Sequence, residues 1–497
     1  MARRVAAIAA VAIVVASAWS AASAAALPPV KHVFVIVLEN KDYDQSFASD
    51  SAAPYLSKDL TKQGQLLTQY YGTSHASLGN YISMISGQAP NLDTQADCAH
   101  GFNDIFPGVP SPDGQVIGVG CVYPAAVKTV ADQLDAAGLS WRGYMEDMGN
   151  DPSAPKTCRH PAIGEVDDTQ SARATDQYAT RHNPFVYFHS IIDDQRRCDR
   201  GVVPLDRLRG DLETGASTPS LAFITPDLCS DGHDEPCIDG RPGGLKSSDA
   251  FLREWVPRIQ ASPAYADGGL IVITWDEGNV GSGTSGACCN EPSGPNTPLP
   301  GIFGPGGGRI GGVILSPFTK PGSVNDQPYN HYALLRSIED LFGLAHLGYA
   351  GAGGLKPFGA DVFNALGDVP GPADAAGGGA PGSPGTDATG GAPGSANSDR
   401  AGGVLGAGAS SCARVRLPRA TRGRYPRGTL LSHVVLSRGR LRVTARHAAS
   451  LVLRRNNRVA LRTRLRACRT YSYRVGRGRL EVRAVAGGAR EQRVLRS

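Results

Sequence analysis

Between Gly72 and Pro90 the chain reads GTSHASLGNYISMISGQAP, a small turn carrying His75, Ser77 and Asn80 that runs into the apolar, helix-compatible segment Tyr81–Ile85. A hydroxyl delivered at a helix N-terminus meets free backbone N–H groups and the positive end of the helix dipole, which favour an anion such as phosphate. Asn80, three residues on, falls on the same side of the first turn, where its amide would hold a phosphoryl oxygen. A serine in such a place is also a common N-cap, so the turn alone decides nothing. Acidic groups at strand ends add to it. Lys31–Leu38 (KHVFVIVL) is an apolar run of buried-strand length that discharges into Glu39-Asn40, and Leu270–Trp275 (LIVITW) discharges into Asp276-Glu277. Four oxygen-bearing side chains at the carboxyl ends of two strands fit the site of an open α/β sheet, and acids so grouped call for a divalent cation. The competing use of each pair is as helix caps and solvated loop residues. Both pairs together with the Ser77 turn favour the site.

The segments that carry these residues resemble a known family. VIVLENKDYDQSF (35–47) resembles the opening signature of the phosphoesterase family of secreted acid phosphatases and phospholipases C. SHASLGNYISMISG (74–87) resembles an element of its acid phosphatase branch, and is similar to the nucleophile turn of nucleotide pyrophosphatases in the wider alkaline phosphatase superfamily. RHNPFVYF (181–188), FITPDLCSDGHD (223–234), VITWDEG (272–278) and YNHYALLRSIEDLFGL (329–344) continue the match in order, over roughly Val30 to Leu366. The resemblance implies an α/β fold of alkaline-phosphatase type, a central, mostly parallel sheet flanked by helices. It makes Ser77 the nucleophile and Asn80 its phosphate-holding neighbour, with Glu39, Asn40, Asp276 and Glu277 as metal ligands. It sets His182, His233 and His331 around the phosphate and gives His75 a less defined part. Two positions depart from the pattern. Gly79 stands where the family has proline, and Glu277 where some relatives have a second aspartate, which bears on metal identity more than on the ligand set. Each histidine also has an ordinary use: His182 in a surface turn, His233 in a small loop between Cys229 and Cys237, His331 at the start of a helix.

The chemistry follows from the residue types. The negative oxygens of a phosphate ester repel a nucleophile. A divalent cation on the four ligands would neutralise them and lower the pKa of the Ser77 hydroxyl. Ser77 would be phosphorylated in passing and water would release phosphate in a second step. The reading is a metal-dependent phosphoric monoester hydrolase. The first alternative is a phospholipase C-type phosphodiesterase on lipid headgroups. The second is an inactive envelope-binding protein acting through its basic tail.

The remaining chain frames that site. Arg3-Arg4, the apolar run Val5–Val15 and the small-residue site Ala22-Ser23-Ala24 read as a secretory signal over residues 1–24, an uncleaved anchor being the alternative. Residues 27–366 form the catalytic domain, and residues 367–411, almost wholly Gly, Ala, Pro, Ser and Asp, form a flexible linker. Residues 412–497 read as a small all-β module, with apolar runs at Leu430–Leu436, Arg440–Thr444 and Leu451–Leu453, stapled by Cys412 and Cys468. Eight cysteines lie in the catalytic part, an even number with no CxxC pair, which suits disulfides in an oxidising compartment and argues against structural zinc. Cys229 with Cys237 is the expected local pair, and the adjacent Cys288 and Cys289 are expected to bond to different partners. The tail holds 24 arginines, no lysine or aspartate and two glutamates, a charge of +22, so the first 411 residues carry −17 of the chain's net +5. Such a tail would seek an anionic cell envelope or phospholipid surface. Nucleic acid is the weakest partner, since only Tyr425, Tyr471 and Tyr473 could stack on bases.

Overall fold

The strand His32–Leu38 is seven consecutive buried residues, HVFVIVL, in the interior of the main sheet. A run apolar on both faces is stable only with neighbours on both edges and layers above and below. It pairs in parallel with Gly269–Trp275 on one side and Leu221–Thr225 on the other. The computed structural model describes residues 27–279, 285–364 and seven strands between 431 and 496. The expected signal segment, the linker and the Cys412–Cys468 staple lie outside the described residues.

The main sheet has eight strands, in the order Ser323–Asn325, Gln65–Leu67, Gly312–Leu315, Gly269–Trp275, His32–Leu38, Leu221–Thr225, Trp141–Met145, Val202–Pro204. All neighbours are parallel except for Gly312–Leu315, which runs antiparallel to both of its partners. The architecture is α/β with a mostly parallel sheet flanked by helices. Its core draws Val33 to Leu38, Ile271 to Ile273, and Ala222 to Ile224 from the strands, and Leu252, Trp255, Val256 and Ile259 from the helix Gly244–Gln260. Each such aliphatic or aromatic side chain contributes about 1.5–3 kcal/mol by leaving water.

Register decides where the chemistry lies. Leu38 pairs with Trp275, so Glu39 and Asp276 leave the sheet side by side, and the Asp276 N–H donates to the Leu38 carbonyl at 2.8 Å. The Glu39 N–H in turn donates to the Asp231 carbonyl at 2.9 Å, which draws the loop after Leu221–Thr225 over the same strand ends. All ten residues of the helix Ser77–Ser86 are buried, so this helix is sunk into the unit rather than laid on its surface. It stops at Gly87, whose φ of 67° lies in the left-handed region and where an added Cβ would meet the Leu347 carbonyl oxygen at 2.2 Å. Helix His331–Phe342 packs against it, capped at its start by the Asn330 side chain, which accepts from the Ala333 N–H at 3.0 Å.

Four disulfides brace the unit: Cys98–Cys121, Cys158–Cys198, Cys229–Cys237 and Cys288–Cys289. The last corrects the expectation of separate partners. The other six cysteines of the unit are paired among themselves, and the neighbours are left to each other, Cys289 taking a φ of 67°. The chain divides into two compact units, Met1–Ala380 and Pro381–Ser497. The described residues of the second are strands: one sheet joins Leu431–Ser437, Arg440–Ala445 and Thr470–Arg474, and another joins Arg458–Leu465, Ala449–Arg455, Arg479–Ala486 and Ala489–Arg496. Among the described residues no helix is long and apolar enough to cross a membrane.

Candidate active site

The hydroxyl of Ser77 donates to Glu39 Oε2 at 2.9 Å across 38 residues of sequence. Ser77 is the first residue of its helix, and the cap position belongs to Ala76, which offers no side chain to the helix. The free N–H of Leu78 is satisfied instead by Asp97 Oδ1 at 3.0 Å. Ser77 is therefore not used as a cap. Its oxygen faces the strand ends, and a neighbouring carboxylate serves the helix.

Glu39 is the centre of this arrangement. Its Oε1 also accepts from Tyr81 Oη at 2.5 Å and lies 3.4 Å from His182 Nε2, while its Oε2 accepts from the Asn40 amide at 2.9 Å. Asn40, with φ at 57°, turns the chain so that its backbone N–H donates to Asp276 Oδ1 at 3.0 Å. His182 Nδ1 lies 3.2 Å from Asp231 Oδ2, and its ring is stacked on Tyr81 with centroids 5.3 Å apart. Glu39, His182 and Asp231 offer ligand atoms all within 4.8 Å of one another, and all three are buried.

The electrostatics of this cluster ask for a cation. Burial pushes the Glu39 carboxyl well above the usual range, and Asp276 and Asp231 push it further. Burial likewise raises Asp231 well above its ordinary value. Asp276 is raised to about 7, mainly by burial, against the opposing pull of hydrogen bonds from the Asn40 N–H, Ser77 and Glu39. Burial lowers His182 well below its ordinary value, so its imidazole is neutral and keeps a lone pair to give. Asp231 Oδ2, Asp276 Oδ2 and both ring nitrogens of His182 are buried without a hydrogen bond. Carboxylate oxygens gathered about a neutral imidazole, which keeps one ring nitrogen as an acceptor, fit a divalent cation held by oxygen and nitrogen.

The other sequence candidates fall around this centre. Glu277 is drawn onto the ring of His75, both fully buried. His331 stands behind Asp276, its Nε2 2.6 Å from the Asp276 carbonyl and its Nδ1 3.3 Å from Tyr70 Oη. Burial lowers it to about 4, so it supports the strand end as a neutral ring. His233 sits at the partly exposed edge, Nδ1 2.7 Å from Asp234 and Nε2 3.4 Å from Arg181. Asn80 departs from its expected part. Its Oδ1 accepts from the Thr73 and Ser74 N–H groups, both at 2.9 Å, and its Nδ2 donates to the Ser74 carbonyl at 3.0 Å. The carboxamide is spent on bracing the turn rather than turned to the strand ends, because the chain before Ser77 folds back over the helix.

Asn80→Ala should accordingly lower the unfolding midpoint together with turnover. It leaves two buried N–H groups unpaired, at about 1–3 kcal/mol each. A residue that only held phosphate would lose turnover at unchanged stability, so melting curves beside kinetics decide between the two.

Asp231 and Arg181 complete the site and were not among the sequence candidates. Asp231 lies in a loop with Asp227 and Asp234, and periodicity does not say which of three aspartates points inward.

Known proteins match this chain over the same region. A probable acid phosphatase of Kluyveromyces lactis is 28% identical over 318 residues, which is 64% of this chain and 59% of that protein. A phosphate-repressible acid phosphatase of Penicillium chrysogenum is 29% identical over 338 residues, 66% of this chain and 65% of its own length. The chain thus spans less than two thirds of either fungal relative. A phosphatidylinositol-3-phosphatase of Mycobacterium tuberculosis is 23% identical over 328 residues, 66% of this chain and 82% of that one. The model of the phosphoesterase family matches residues 48–345, more than half of the chain and the whole stretch from the Ser77 turn to His331. With that match, the chain belongs to the phosphoesterase family.

Proposed function

We propose that this protein hydrolyses phosphoric monoesters, with Ser77 as nucleophile and Glu39, Asp231, Asp276 and His182 as holders of a divalent cation. The observation that carries this is the Ser77–Glu39 hydrogen bond of 2.9 Å at the start of a buried helix, inside a group of three buried carboxylates. When bound, the cation would supply positive charge for the phosphoryl oxygens and for the developing serine alkoxide. Glu39 orients the Ser77 hydroxyl toward the strand ends. The Ser77 oxygen forms the bond to phosphorus, the ester oxygen leaves, and water releases phosphate from the serine in a second step. Arg181 and His233, in contact with each other at 3.4 Å, would meet the outer phosphoryl oxygens. The acid phosphatases among the relatives favour monoesters. The phosphatidylinositol-3-phosphatase favours the narrower version in which the monoester is carried by a lipid. The four disulfides support export to an oxidising compartment, and the +22 charge of the tail supports retention at an anionic surface.

The test is hydrolysis of p-nitrophenyl phosphate, bis-p-nitrophenyl phosphate and phosphatidylcholine, each with and without chelator. The monoester should be cleaved fastest, lose turnover on chelation and regain it with added divalent ion. Full activity of chelated protein shown by elemental analysis to hold no metal would overturn the cation. Faster cleavage of the diester would overturn the monoester reading.

A further inference from the structure

Large apolar side chains are exposed on this unit in one concentrated place. The two-stranded hairpin Phe106–Pro110 and Val116–Val119 pairs Phe106 with Val119 and Val109 with Ile117. Directly opposed residues share a face, so these four stand together on one side of the ribbon. All four are exposed, Phe106 at 82% of its surface. Beside them the segment 285–307 exposes Leu299, Ile302 and Phe303. Seven of the twelve exposed large hydrophobics among the described residues thus lie on two segments, too dense a grouping for scattered surface apolar residues.

The two segments are joined and tied to the nucleophile turn. Asn296 accepts from the Gly118 N–H at 2.8 Å and donates to the Val116 carbonyl at 2.7 Å. Four residues later, the Pro300 carbonyl accepts from the His75 N–H at 3.1 Å and from Ser74 Oγ at 3.3 Å. On the hairpin side, Cys121 is bonded to Cys98, whose neighbour Asp97 holds the Leu78 N–H of the nucleophile helix. The apolar face is therefore fastened to the turn that presents Ser77 at both of its ends.

Its charge says what it meets. Ile105 to Val119 contains one ionisable side chain, Asp113, and Pro292 to Gly308 contains none, in a chain that is 19% charged. Such a surface has nothing to offer an anionic headgroup or a charged protein. Phenylalanines and aliphatic residues on a charge-free ribbon suit the interface of a lipid bilayer, where apolar side chains enter and charges are costly. We propose that the Phe106–Val119 hairpin and the adjoining Leu299–Phe303 segment dock on a lipid bilayer by inserting apolar side chains rather than by pairing charges, bringing the Ser77 turn to phosphate esters carried in it. The partner is chosen partly on the phosphate-ester reading of the site; the docking itself needs no turnover.

The full-length protein is sedimented with phosphatidylcholine vesicles in 1 M salt. Salt at that level shortens the screening length to about 3 Å and silences the arginine-rich tail. The comparison is the triple variant Phe106→Ser, Ile117→Ser, Phe303→Ser, whose sites are all exposed. The wild-type protein should sediment with the vesicles, with or without chelator. The variant should partition about tenfold less or weaker still, with p-nitrophenyl phosphate turnover unchanged. Equal sedimentation of the two proteins, or a wild-type protein that stays in solution, overturns the proposal. So does a wild-type dimer that the three substitutions dissociate without any vesicle binding, which would assign the face to a second copy of the chain. Loss of the phosphatase reading shows separately, as absent turnover with vesicle binding intact.

Discussion

Ser77→Ala should remove roughly four to six orders of magnitude of p-nitrophenyl phosphate turnover, the scale on which an enzyme loses its nucleophile. The fold should survive, because the substitution deletes one hydroxyl that serves the carboxylates Glu39 and Asp276 and not the helix. Losing one such bond to an acidic acceptor costs about 1.5–3 kcal/mol at most, and part returns as Glu39 binds a proton or water. The helix start does not depend on Ser77, since Asp97 serves the Leu78 N–H. Circular dichroism and a melting curve should therefore stay close to wild type while activity vanishes. Retention of more than about a tenth of the activity would falsify the assignment of Ser77, because no nucleophile is so dispensable.

Asp231→Asn should move stability in opposite directions with and without metal. In chelator, Asp231 raises the Glu39 carboxyl beside it and is itself raised by Asp276, so neutralising Asp231 relieves that repulsion. The amide oxygen can still accept from the His233 N–H, which Asp231 Oδ1 does at 2.7 Å. The chelated variant should thus melt at or above the wild-type temperature, by about 2 °C or more. With saturating divalent ion the order reverses. A cation at a hundred times its dissociation constant adds about 2.7 kcal/mol to the wild-type protein, and the variant should lose most of that gain. Turnover should fall by about a hundredfold or more, since even outer partners of a bound metal are worth about 10–100-fold. A variant that melts lower in chelator yet gains as much from metal as the wild type would remove Asp231 from the ligand set.

How far the site could be read from the chain varies residue by residue. The strands were legible because short, almost wholly apolar runs rich in Val and Ile, Val33–Leu38 and Leu270–Trp275, admit few other structures, and the acids at their ends are fixed by position alone. Glu39 and Asp276 are neighbours through the Leu38–Trp275 register, a pairing the two hydrophobic runs make natural. Asn80 was ambiguous for a physical reason. Three residues after Ser77, the same amide can reach outward to a ligand or back to Thr73 and Ser74, and only the path of the preceding turn decides. Asp231 was hidden in a loop with no period, placed by a single long-range backbone bond to Glu39. The adjacent cysteines misled because local strain argues against their union, while the pairing of the other six leaves them no alternative. In the tail, the strand Leu431–Ser437 begins within a residue of the apolar run that marks it.

The pairing of Leu38 with Trp275 also sets when the protein can first act. During synthesis Glu39 and Ser77 emerge early, but the strand Gly269–Trp275 that pairs with His32–Leu38 follows much later in the chain. Contacts so far apart in sequence close late in folding, after the loops between them have been gathered in. A nascent or extended chain therefore carries Ser77 and Glu39 without Asp231 and Asp276 gathered beside them. On the proposed reading, phosphate esters met before the whole sheet has formed would encounter only an incomplete site.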